Sequence, residues 1–181
     1  IMPSLVGSEM CIRDRYYWSQ NRKIALTPDS SHLVLNIEAD LIRTPMLSSD
    51  YKGFNEISPN IIVKENKSNI FSENDFKAYE SDPLVKRASP AYLVNGTDTL
   101  YVTNHILLKP KNGVSIDSIL AGMNEIVEVV DQTKYGVYTL SVNQGFDVLT
   151  YANIIYENGL VDFCHPDFII CLLYTSPSPR D

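Results

Sequence analysis

The residues best suited to chemistry lie together in "CHPD", where Cys164, His165 and Asp167 place a thiol, an imidazole and a carboxylate within four positions. Those groups could form a nucleophile, its base and an orienting acid. Adjacent residues on a strand point to opposite faces, however, so Cys164 and His165 should diverge. A triad is a matter of spatial geometry, and adjacency in sequence is poor support for one. Cys164 is therefore expected to be a small buried hydrophobe. His32, His105 and His165 stand at no metal-ligand spacing to one another or to a cysteine, which argues against a zinc site. Glycines are scattered and form no phosphate-binding loop. "NKS" (Asn66–Ser68) and "NGT" (Asn95–Thr97) match the glycosylation acceptor pattern, but a tight turn explains the second by itself. The acidic run from Ser72 to Asp82 is expected to be a solvated face. No catalytic residue, cofactor site or metal site is expected, which leaves a binding or assisting domain.

The two ends of the chain belong to a different category. Leu5–Arg15 ("LVGSEMCIRDR") and Cys171–Asp181 ("CLLYTSPSPRD") can be encoded by one DNA word and its reverse complement without a mismatch. That word resembles a transposon-type sequencing adapter. Residues 1–15 and 171–181 are therefore read as translated adapter and set aside from fold reasoning. About 155 residues remain, enough for one ordinary domain or two small ones. Removing Arg13, Arg15 and Arg180 together with Glu9, Asp14 and Asp181 leaves the net charge at −7. An acidic domain with no basic patch argues against a nucleic-acid partner, which requires Lys and Arg to displace phosphate counterions. Cys164 is then the one remaining cysteine, so no internal disulfide is expected. No membrane partner is expected, and the domain should be a monomer.

The elements that position these residues differ between the halves. Residues 16–98 read as a β-rich, irregular segment. It has strands at Lys23–Leu26 and Leu33–Ile37 separated by the turn "TPDSS", and a third at Ile61–Lys64. Ser72 with Asp75 three residues on predicts a capped helix ending before Pro83, and the stretch from Arg43 to Asn60 should be irregular. Residues 99–170 are more regular. Asn95-Gly96 predicts a hairpin turn, and a strand follows around His105–Leu108. Ser115 should cap a helix carrying Ile116, Ile119, Leu120 and Met123 on one face. Strands at "EIVEVVD" and "VYTLSV" come next, then a helix over about Phe146–Asn158 stopped by Gly159, and a last strand ended by Pro166. The fold class expected is α+β: a ferredoxin-like βαββαβ unit, with four antiparallel strands and two helices on one face, preceded by the β-rich segment. Two helices cover only one sheet face, and Val137, Thr139 and Ser141 are the candidates for the open one.

"NHILLKPKNGVSIDSIL", "TKYGVYTLSV" and "DVLTYANIIYENGLVDFCHPDFI" together resemble the amino-terminal prodomains of secreted subtilisin-like serine proteases, in particular those of Bacteroidetes-type bacteria. The resemblance covers roughly residues 100–170. It implies an intramolecular chaperone and temporary inhibitor whose open sheet face lies on a protease domain in cis. It also implies an exported protein, and a chain that passes after the last strand into the protease cleft. Asp167, Phe168 and Ile169 would lead into that tail. The Asp-, His- and Ser-bearing blocks of the protease are absent, so no peptidase activity is expected of these residues. The alternative is a free-standing binding module of the same fold, either a protease inhibitor or a small-molecule sensor. A surface or adhesion module is a third reading.

Overall fold

The computed structural model describes residues 15–37 and 51–171. Among them are nine strands and three helices. In chain order these are β1 (Arg15–Ser19), β2 (Arg22–Ile37), β3 (Asn55–Ser58), β4 (Ile61–Glu65), α1 (Glu73–Glu80), β5 (Val85–Val94), β6 (Asp98–Pro110), α2 (Ile116–Ile119), β7 (Val127–Gln132), β8 (Tyr138–Val142), α3 (Val148–Glu157) and β9 (Val161–Cys171). The strands form one antiparallel sheet with the order β3-β4-β2-β5-β6-β8-β7; β1 pairs with the start of β2, and β9 runs along β6. The sheet curls into a half-barrel.

This corrects the expected fold class. A ferredoxin-like sheet of four strands under two helices does not form, for two reasons visible in the chain. First, β6 does not begin a separate sheet, because Asp98, Thr99 and Leu100 pair with Val94, Leu93 and Tyr92 of β5. The hairpin at Asn95-Gly96, both with positive φ (54° and 75°), carries the sheet across the boundary expected at residues 98/99. Second, α2 is a single turn. Ser115 caps it as expected, but the chain leaves the helix at Leu120 and Gly122 takes a φ of 80°, so Met123 never joins the helical stripe.

Other differences share a cause: turn residues became bulges inside long strands. "TPDSS" does not separate two strands but bulges one continuous β2 between Asp29 and Leu33. The Asp29 carboxylate stabilises the bulge by accepting from the Ser31 N–H (3.1 Å), the Ser31 hydroxyl (2.6 Å) and His32 Nδ1 (2.8 Å). Pro166 likewise does not end the last strand. It sits at a bulge where β6 runs three residues (103–105) against the single Asp167 of β9, a place in a sheet that proline tolerates. The stretch expected to be irregular contains β3, and residues 43–50 of it lie outside the described residues.

The helix cap at Ser72 forms as read, with reciprocal bonds between Ser72 and Asp75. α3 starts at the Asp147 cap and stops before Gly159 (φ 74°). Its inner stripe of Val148, Leu149, Ala152 and Ile155 packs on Ile106, Leu108, Leu140 and Val142 to make the largest core. In β2 and β4 the apolar residues run consecutively because both faces are covered. Leu33, Leu35 and Ile62 pack with Phe76 and Tyr79 of α1 on one side, while Val34, Ile61 and Val63 pack with Ala91 and Tyr101 on the other.

Candidate functional site

The helix-free face of β6, β8 and β9 follows from strand alternation. Ile106, Leu108, Leu140 and Cys164 point into the core under α3, so their neighbours point the other way. His105 lies opposite Ser141, and Leu107 lies opposite both Thr139 and His165; Lys109 faces Phe163. All seven are half-buried. Leu107 and Phe163 belong to no apolar cluster among the described residues. Phe163 stacks on His165, with ring centroids 5.5 Å apart. Burial pushes the His105 pKa below the usual histidine value, against the opposing pull of Asp167.

Of the residues expected on this face, Thr139 and Ser141 are there, in the middle of β8. Val137 precedes the strand and closes its turn: its carbonyl accepts from the Thr133 N–H (2.8 Å) and its N–H donates to Thr133 Oγ1 (3.2 Å). Sequence reasoning missed His105, Leu107, Lys109, Phe163 and His165. The signal was present in the alternation of "NHILLKP" and "VDFCHP", but a leucine and a phenylalanine on the outward register read as core.

Asp167, Phe168 and Ile169, expected to lead into a tail, lie within a strand. They are the second half of β9, where Phe168 pairs with Val102 and Ile169 with Tyr101. The Phe168 ring lies 4.8 Å from that of Tyr17, and Ile169 packs on the Val34–Tyr101 cluster. Cys164 is buried in the α3 core and its thiol pKa is raised by that burial, so it is held neutral. His165 lies on the opposite face with Nδ1 2.9 Å from the Pro166 carbonyl. The sheet therefore separates this thiol from this imidazole. His32 is engaged by Asp29 within the β2 bulge. Among the described residues no group of three or more His, Cys, Asp or Glu could hold a metal ion, and no helix is long and apolar enough to cross a membrane.

A second feature was not visible in the sequence. β5 and β6 pair only at their hairpin end and then part, β5 following β2 and β6 following β8. The wedge between them is filled by polar side chains. Asn36 of β2 donates from Nδ2 to the Val102 carbonyl (3.1 Å) and accepts at Oδ1 from the Asn104 N–H (3.1 Å), standing in for the strand that β6 lacks there. Asn104 donates to Ser141 Oγ (3.2 Å), which ties this wedge to the open face. Arg87, opposite Asn36 on β5, donates from both Nη atoms to Asp147 Oδ1 (3.3 Å each) at the start of α3. Gln144 donates to the carbonyls of Glu80 (2.6 Å) and Val85 (3.1 Å). Burial works to raise the Asp147 pKa. Arg87, Arg15 and the Thr150 hydroxyl outweigh it and hold the carboxyl well below the usual carboxylate range. Arg15 Nη1 donates to the other carboxylate oxygen, Asp147 Oδ2 (2.7 Å). The bonds of Asn36, Arg87 and Gln144 each join the elements before residue 98 to those after it.

Comparisons with protein-family models, with curated proteins and with solved structures find no match to this chain. Its described surface combines one half-buried sheet face with a rigid polar seam behind it.

Proposed function

We propose that the chain is a binding domain that lays its open sheet face on a subtilisin-type protease domain, assisting that domain to fold and inhibiting it until the contact is broken. The observation that carries this reading is the face itself. Leu107 and Phe163 stand half-exposed on the sheet surface, rimmed by His105, Lys109, Thr139 and Ser141, with no core cluster of their own. An apolar centre with a polar rim is the composition of a protein-binding patch. The resemblance of residues 100–170 to subtilisin-type prodomains names the partner, and in that family this face meets the protease. The rigidity of the sheet, tied on its reverse side by α3, keeps the ordering cost of such a contact low.

The test begins with the gene, recovered without adapter past residue 170, and with the protease domain it encodes. Purified chain is mixed with that domain, and both peptide hydrolysis and refolding yield from denaturant are measured. The expected result is inhibition together with a higher refolding yield, both lost in Leu107→Lys. Absence of a protease domain from the gene, or no effect on either measurement, would overturn the reading.

A further inference from the structure

β7 ends the sheet, pairing with β8 and, among the described residues, with no strand on its other edge, where the Val127 N–H donates to the Met123 carbonyl (3.0 Å). A free edge is a template for another strand. Val129 and Val130 on it are 41% and 50% exposed. Beside the edge lies a cleft of about 510 Å³ between α2 and β7, whose lining includes Leu120, Val127 and Val129 with Asp117, while Glu128, opposite Ser141, directs its side chain to the other face of the strand. The edge itself carries Glu128 and Asp131, and its bulge falls after Val129, leaving Val127–Val129 in regular pairing.

Charge decides the occupant. A second copy pairing through the same edge would bring Glu128 and Asp131 against their own equivalents, and like charges on neighbouring strands repel. The same carboxylates attract a strand of opposite charge. A lysine or arginine side chain also suits the cleft in both its parts, since its aliphatic stem fits the Leu120–Val129 wall and its cation meets Asp117. We propose that the edge of β7 binds an extended basic peptide by strand addition, with alternate Lys or Arg side chains directed to the cleft. The edge borders the open sheet face at Thr139 and Ser141, but the proposal does not depend on the protease reading.

The probe is the peptide acetyl-(Lys-Val)3-amide, with acetyl-(Glu-Val)3-amide as its charge-reversed control, each titrated into isotope-labelled chain and followed by amide shifts. The basic peptide should move amides of residues 117–132 saturably, bind at least about tenfold more tightly than the acidic one, and weaken as salt is raised. The exposed double variant Asp117→Lys/Glu128→Lys should lose that preference while its remaining amide spectrum is unchanged. Equal binding of the two peptides, shifts that map to Leu107 and Phe163, no saturable shift, or self-association through β7 without peptide would each overturn the proposal.

Discussion

The core beneath α3 and the seam between β5 and β6 join the same sheet by opposite means. Under α3, Ile106, Leu108, Leu140 and Ile155 are fully buried apolar side chains, and their attraction is non-directional. In the seam, Asn36, Arg87 and Asn104 are buried as well, yet each bond depends on distance and angle. Arg87 Nε and Ser89 Oγ are buried there without a hydrogen bond among the described residues. Leaving buried polar atoms unsatisfied costs stability. The seam is therefore better understood as setting the angle between the two halves of the sheet than as the main source of stability. The core makes the molecule compact; the seam makes one arrangement of its halves the right one.

That contrast breaks most sharply in the core. Ile155→Ala should cost about 4 kcal/mol, since the cavity is enclosed on all sides, and denaturant unfolding should show it as a lower midpoint. In the seam, Asp147→Ala should cost about 3 kcal/mol because it strands the Arg87 cation and removes the helix cap. Asn36→Ala should cost about 2 kcal/mol through two unmet backbone groups on β6. If the seam sets the angle, Asn36→Ala should also change amide shifts in both β5 and β6, whereas Ile155→Ala should not move β5.

A pH titration separates the two regions more finely. The Asp147 pKa is depressed on folding, so its contribution is complete above the unfolded carboxylate value of about 4. It is lost progressively as pH falls below that value towards the folded one. Asp147→Asn should flatten the acid limb of stability against pH, and the core variant should leave its shape intact. The smallest effect belongs to the open face. Thr139→Lys, half-exposed and without a seam bond, should change stability by about 0.5 kcal/mol or less, while weakening the proposed protease contact.

Local signals in the sequence were dependable where one residue's own chemistry sets the outcome. The Asn95-Gly96 turn, the Ser72–Asp75 capping box and the stop of α3 at Gly159 are decided within a few residues, and each forms where it was read. Burial of Cys164 followed from the apolar run around it. The open face was legible in part, because the alternation of β8 shows Thr139 and Ser141, but not the neighbours that strand pairing brings beside them. Leu107 and Phe163 were hidden because an apolar side chain on an uncovered face looks the same, in one dimension, as a core residue.

From its residues alone, the chain determined its turns, its caps, the inward stripe of α3 and an acidic balance. The tertiary structure decided how many sheets those pieces make. "TPDSS" and Pro166 look like strand ends locally, but pairing partners on both sides repay the cost of a bulge and carry β2 and β9 through them. Asn36, Arg87 and Asp147 lie up to 111 positions apart (147 − 36), and no local pattern links them. They become one seam only because β5 and β6 part, and buried polar groups in the opening must find partners from wherever the fold supplies them.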